Sequence, residues 1–348
     1  ISQHTPEDLN RIFFTICGSS AVETAIKTAV AYFKAKGEGH RSHIVGRERG
    51  YHGMNIGGIS VGGMVSNRKT FSNILMPNVH HLRHTHLPEN LFVKGEPETG
   101  VDLADDLERI AANIGPENIA ACIVEPIAGS TGTLVPPKGY LKRLRDICDK
   151  HGILLIFDEV ITGWGRTGYP FAAQAFDVTP DIMTMAKAIT NGVVPLGAVA
   201  SRENIYDTIL DASPMGAVEF FHGYTYSAIP VSMAAGLAMQ NIIEKENLFQ
   251  RSKDMSPYFL DGLFSLKDID IITDIRGYGM LGGIDVRFDE RPGKAGYTCF
   301  KKLFEVGLSL KATGDCLIVA PPFICEKEHI DEIIEKLRTG ITDYMKSK

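Results

Sequence analysis

Three apolar runs, separated by helical patterns and each ending on a polar side chain, constrain this chain more than any other feature. Residues 119–124 lead into Glu125, residues 153–157 into Asp158, and residues 182–186 into Lys187. The run at 153–157 is apolar at every position, which predicts a strand buried on both faces, as in a parallel sheet covered by helices. Apolar strands alternating with helical patterns place the chain in the α/β class. Ligands of such sheets sit just beyond the carboxyl ends of the strands. Glu125, Asp158 and Lys187 are therefore expected to converge on one pocket although they are far apart in sequence.

The pattern predicts helices at 21–36, 102–113 and 141–150, and further strands at 43–45 and 196–200. In the first helix Val22, Ala25, Ile26, Ala29, Val30 and Phe33 fall on one face. Ser20 and Glu23 are spaced as a capping box at its start. The glycine-rich stretch 57–63 does not fit a strand-to-helix GxGxxG and reads as a loop. From Pro230 the character changes: a long helix at 232–244 leads into alternating helices and short strands, including 282–286 and 317–319. The expected organisation is a large unit over residues 1–235 and a linking helix with a smaller C-terminal α/β domain over 236–348.

A formal net charge of -6 gives no reason to expect nucleic acid as a partner. No run of eighteen apolar residues predicts a membrane span, and no basic-then-apolar leader is visible, so the expected location is the cytoplasm. The six cysteines lack CxxC spacing and read as reduced thiols. His80, His81, His84 and His86 have no HExxH or cysteine company, and read as a surface loop; no metal is expected.

Most lysines are solvated surface charges. Lys187 differs because it follows an apolar strand and precedes the turn signal Thr190-Asn191-Gly192. Partial desolvation there lowers its pKa and makes the amine nucleophilic. Asp158 reads either as a cap or salt-bridge partner, or as the counter-charge of a bound cation, since a carboxylate at a buried strand end needs a cationic or donor partner. Gly18-Ser19-Ser20 opens a helix, where free N–H groups and the dipole favour an anion, although many helices begin this way for capping alone. A nucleophilic lysine, an aspartate and a phosphate cradle together fit pyridoxal 5'-phosphate (PLP), which needs a Schiff-base lysine, an acid facing its ring nitrogen and donors for its phosphate.

Segments 13–27 (FFTICGSSAVETAIK), 50–53 (GYHG), 124–140 (VEPIAGSTGTLVPPKGY), 155–168 (LIFDEVITGWGRTG), 180–198 (PDIMTMAKAITNGVVPLGA), 222–230 (HGYTYSAIP) and 314–322 (GDCLIVAPP) run through nearly the whole chain. Together they resemble the class III (subgroup II) aminotransferases of PLP fold type I, most closely the omega-amino acid–pyruvate, or beta-alanine–pyruvate, enzymes. The resemblance implies a mainly parallel sheet of the seven-stranded type. It implies that Lys187 carries the cofactor, Asp158 pairs with the pyridine nitrogen, Val160 and Tyr51 cover the two ring faces, and Gly18 and Ser19 hold the phosphate. It implies that Thr225 reaches the phosphate of a neighbouring subunit, in a homodimer or dimer of dimers. Glu125 lies in the pocket as a partner for a cation, and Arg166 is structural. The implied reaction moves an amino group from an omega-amino acid or amine to pyruvate, giving an aldehyde or ketone and L-alanine, in two halves through pyridoxamine phosphate.

The chain departs from the family pattern at three positions. Ser20 stands where glutamate is common, Ile229 where histidine is common, and Lys311 where the omega-amino acid enzymes carry an arginine for the substrate carboxylate. A lysine offers a point charge instead of a bidentate fork, so Lys311 implies a weaker or relaxed carboxylate site, unless it is a surface lysine. Only twelve residues precede Phe13, fewer than the resemblance implies; the missing segment lines part of the substrate entrance, and its absence is expected to impair activity. Two other readings are another class III reaction, such as an aminomutase, and an inactive PLP-fold binding or assembly protein. The intact Lys187, Asp158, Tyr51 and Thr225 argue against the second.

Overall fold

The structure is a computed structural model and describes residues 1–215, 217–287 and 292–347. Strands β1 (Arg11–Thr15), β2 (His43–Arg47), β3 (Val79–Leu82), β4 (Ile119–Val124), β5 (Leu154–Asp158), β6 (Ile182–Met185) and β7 (Gly197–Ser201) form one sheet in the order β1-β7-β6-β5-β4-β2-β3. The five strands from β6 to β3 are parallel, and β7 runs antiparallel to both β6 and β1.

Both faces of this sheet are dry, which explains the continuous apolar runs. Cys122, Val124, Leu155, Phe157, Met183 and Met185 point into a core with Leu107, Leu144, Trp164 and Phe171. Their neighbours Ala121, Ile123, Leu154, Ile156 and Ile182 point into a second core. Helix α1 (Gly18–Ala35) closes that second face with Ala21, Val22, Ala25, Ile26, Ala29 and Phe33. Val30, expected on this face, is 40% exposed at the edge of the stripe.

Three local expectations need correction. Helix α1 begins before Ser20: Cys17, in extended conformation, is the N-cap, and the Ser20 hydroxyl accepts its N–H at 3.0 Å. Glu23 does not cap; its carboxylate accepts the N–H of Gly57 at 2.5 Å. The glycine-rich stretch is helical as far as Val61, since α2 spans Ile56–Val61, and only Gly62 and Gly63 lie outside the helix. A Cβ on Gly58 would lie 2.3 Å from the His52 carbonyl oxygen, so the glycine serves a close approach and not a flexible loop. Finally, His80 and His81 lie on β3, and the rings of His43 and His80 stack with Nδ1 and Nε2 2.9 Å apart.

Strands β8 (Ile272–Tyr278), β9 (Leu281–Val286), β10 (Lys311–Thr313) and β11 (Cys316–Val319) form an antiparallel sheet in the order β10-β11-β9-β8. Its core is shared with helices Leu248–Phe264, Ala295–Glu305 and Lys327–Lys346. Arg276 of β8 links this sheet to the other layer. Its guanidinium binds the carboxylates of Asp274 and Asp285 and the carbonyl of Gly132, while His86 reaches Asp274. The two carboxylates thus already have a cation. Among the described residues no helix is long and apolar enough to cross a membrane.

Candidate active site

Adjacent parallel strands end side by side, so their last residues meet. Val124 pairs with Phe157, and Asp158 with Thr184. Glu125, Asp158 and Lys187 line one cavity of about 360 Å³ together with Gly18, Ser19, Tyr51, His52 and Val160. The structure thus brings together all the strand-end residues and the first turn of α1.

Lys187 leaves β6 through Ala186 and adopts φ +46°, a left-handed conformation uncommon outside glycine. A short turn holds it there: the Thr190 and Gly192 N–H groups both donate to the Lys187 carbonyl, and the Thr190 hydroxyl donates to Val194. The Lys187 side chain opens into the cavity, and desolvation by the surrounding walls lowers the pKa of its amine; Asp158 and Glu125 act against this, and Lys311 adds to it. The amine is held closer to its neutral, nucleophilic form than a surface lysine.

Asp158 is buried and held at three points. His52 Nδ1–H donates to one carboxylate oxygen at 2.8 Å; the Val160 N–H and the Thr184 hydroxyl donate to the other at 3.1 and 3.2 Å. His52 is fully buried and was missed as a functional residue by the strand-end logic, because it sits on a loop. Its only sequence signal was its place inside the segment Gly50–Gly53. Glu125 accepts the N–H of Tyr51 at 2.8 Å and of Gly129 at 3.1 Å, and burial pushes its carboxyl above the usual range. This pair of bonds fixes the backbone that presents the Tyr51 ring.

At the first turn of α1 the N–H groups of Gly18 and Ser19 have no protein partner among the described residues. They face the cavity with the positive end of an eighteen-residue helix behind them. A Cβ on Gly18 would stand 3.0 Å from a Val160 methyl, so glycine lets the valine seat against the helix start. The Ser19 hydroxyl accepts the N–H of Met54 at 3.1 Å, tying the Tyr51 loop to the same turn.

A second cavity of about 390 Å³ shares Val160, Ile161 and Lys187 with the first. Leu281, Leu308, Leu310, Ile318 and Phe323 make its walls apolar, and Lys311 and Arg166 are its two other cations. Arg166 is engaged: it donates to the carbonyls of Met280 and Pro321 at 2.9 and 2.7 Å and lies over the Phe323 ring. Lys311, exposed at the start of β10 on the rim of this cavity, has no hydrogen-bond partner among the described residues. Thr225 lines neither cavity and is exposed on the segment before helix Pro230–Lys245.

Glu159, beside Asp158, carries a consequence for stability. It is buried and accepts the N–H groups of Ala172 and Ala173 at 2.9 and 2.7 Å, as well as the Thr162 hydroxyl. Burial pushes its carboxyl up to about 7. The folded-state value lies above an unfolded value of about 4.3, so the folded chain holds the proton more tightly. Its contribution is present below the unfolded value and is lost as pH rises toward 7. Glu159→Gln is expected to flatten the fall of Tm over that window; an unchanged pH profile would remove Glu159 as its source.

The family profile described as "Aminotransferase class-III" matches residues 1–341. The omega-aminotransferase of Caulobacter vibrioides is 52% identical over 342 residues, which cover 97% of this chain and 77% of that protein. The beta-alanine–pyruvate aminotransferase of Pseudomonas aeruginosa is 46% identical over 333 residues, 95% of this chain and 74% of that protein. Among solved structures, the omega transaminase from Pseudomonas jessenii in complex with PMP superposes with a TM-score of 0.93 at 31% identity, covering 99% of this chain and 77% of that one.

Proposed function

The chain belongs to the class III aminotransferases, with the α/β architecture of PLP fold type I, and from that membership we propose that it binds pyridoxal 5'-phosphate and transfers an amino group from a beta-alanine-like omega-amino acid or an amine to pyruvate. The products are an aldehyde or ketone and L-alanine. The convergence of Lys187, Asp158 and the free N–H groups of Gly18 and Ser19 on one cavity carries this reading.

The cavity residues fit the cofactor by their chemistry. The α1 N-terminus offers unpartnered backbone donors for a phosphate. Asp158 is a carboxylate locked by three donors, suited to a protonated pyridine nitrogen. Val160 and Tyr51 line the cavity as covers for a flat ring. When bound, the cofactor supplies an electron-withdrawing ring that accepts the electron pair left when the donor carbon loses its proton.

The chain's own residues supply the rest. Lys187 offers the amine that carries the cofactor, and once free of it accepts the proton from the donor carbon through Nζ. Its lowered pKa suits it to that exchange. Asp158 holds positive charge at the ring nitrogen, and His52 and Thr184 hold Asp158. Glu125 sets Tyr51 and offers a carboxylate to a cation in the pocket. Thr225 serves the phosphate of a neighbouring copy in a homodimer. Its own exposure and that of Phe221, Tyr226, Val231 and Leu237 nearby in the chain support a contact face there.

Lys311 faces the substrate side of Lys187 as the unengaged cation of the second cavity, where it meets a donor or pyruvate carboxylate. The apolar walls of that cavity favour a second class of donor, amines without a carboxylate. One experiment tests both. PLP-loaded protein with beta-alanine and pyruvate should form alanine; no alanine from beta-alanine or any amine would overturn the reading. Lys311→Ala should raise the KM of beta-alanine about tenfold, the scale of one charge-assisted bond, and leave an apolar amine donor unchanged. Equal shifts for both donors would take Lys311 out of carboxylate binding.

A further inference from the structure

The segment carrying Thr225 is fastened to helix α1 at two points. His222 Nε2 lies 2.8 Å from the Thr24 hydroxyl oxygen. The Lys27 ammonium beside Nδ1 calls for a lone pair there, so Nε2 carries the proton and the histidine is the donor in this contact. That fixes the Nε2–H tautomer and leaves the Nδ1 lone pair toward the Lys27 ammonium, 3.5 Å away. Protonation of Nδ1 would set two cations against each other, and burial and Lys27 both lower the histidine pKa. The ring also stacks on Phe13 of β1, with centroids 5.5 Å apart and planes 16° apart. Tyr224, edge-on to His222, gives its own hydroxyl proton to the same Ser20 carbonyl at 3.2 Å.

Ser20 is not a neutral anchor. Its hydroxyl accepts the N–H groups of Ile16 and Cys17 and donates to the Cys17 carbonyl, so it shapes the turn that presents Gly18 and Ser19. The segment expected to reach a neighbour's phosphate is therefore braced on the helix turn that forms this subunit's own cradle.

Resting on the proposed roles of Thr225 and the α1 cradle, we propose that His222, with Tyr224, is a positioning residue that holds Thr225 in register for the neighbouring subunit's cofactor by donating to Thr24. His222 touches neither cofactor nor substrate in this arrangement. Its effect is on how tightly the neighbour's phosphate is held, and not on the chemistry at Lys187.

The test is the rate of PLP release from the holoenzyme into a PLP-scavenging apoenzyme. His222→Phe keeps the aromatic stacking and drops the donor; His222→Gln keeps a nitrogen donor at the reach of Nε2. Release should be about fivefold faster in His222→Phe, the scale of one net hydrogen bond, and near wild type in His222→Gln. The KM for the amino donor at saturating PLP should stay unchanged. Thr225→Ala should also release faster, and in the double variant with His222→Phe the effects should not add. Unchanged release in His222→Phe beside faster release in Thr225→Ala overturns the positioning role alone. Unchanged release in both overturns the role of Thr225 and the proposal with it. Failure of His222→Gln to restore slow release also overturns it, because the stacking or bulk of the ring would then be what matters.

Discussion

Lys187→Ala is expected to lower the transamination rate by about 10⁴-fold, the upper range for removal of a group that exchanges a proton with the reacting carbon. The loss has two sources. On the proposed roles, the variant lacks the amine that would be joined to the cofactor aldehyde and the base that would act at the donor carbon. Nothing nearby substitutes for it. Lys311 is the other amine of the adjoining cavity, but it stands on β10 of the second sheet, while Asp158 and the cradle stand around Lys187. Single-turnover absorbance with a donor amine checks the prediction. Because the base is missing but the pocket is intact, small added amines should recover part of the rate. A variant retaining a tenth of wild-type activity would remove Lys187 from the reaction.

The second large effect is expected from Asp158→Asn, a loss of about 10³-fold. The substitution keeps the shape and removes the charge. The new amide oxygen still accepts from the Val160 N–H and the Thr184 hydroxyl, and the amide nitrogen faces His52 Nδ1. His52 meets it by moving its proton to Nε2, which has no partner at present. The fold should thus survive while the site loses the anion proposed to keep a ring nitrogen protonated. Rate and Tm measured together distinguish this from simple unfolding. A rate within tenfold of wild type at unchanged Tm would exclude Asp158 as that counter-charge.

Much of this arrangement is legible in the sequence, because strands buried on both faces leave unbroken apolar runs. The ends of β4 and β5, and with them Glu125 and Asp158, follow from that rule; β6 carries Thr184 within it, and Lys187 is read from the mostly apolar run before it and the turn signal after it. The direction of β7 does not: residues 197–201 look the same run either way, and only pairing with β6 and β1 reveals the reversal. The start of α1 is obscured by a decoy. Ser20 and Glu23 have the spacing of a capping box, yet Glu23 is drawn away to Gly57 by a tertiary contact. In α2, glycine density hides a helix whose Gly58 answers the His52 backbone. His52 itself lies outside any strand or helix signal, and its value depends wholly on meeting Asp158 across 106 residues.

The three bonds to Asp158 set a limit on what the pocket accepts there. An ionised carboxylate offers about four lone-pair directions. His52, Thr184 and Val160 occupy three of them. One direction remains for a ligand, so the position is saturated by a single N–H donor. A guanidinium or an ammonium arrives with several donors, of which Asp158 can meet one, and each donor left buried and unmet costs about 1–3 kcal/mol. A ring nitrogen carrying one proton leaves none unmet. The three internal bonds that look like mere support therefore act as a count of donors, and selectivity at this end of the pocket follows from valence as much as from charge.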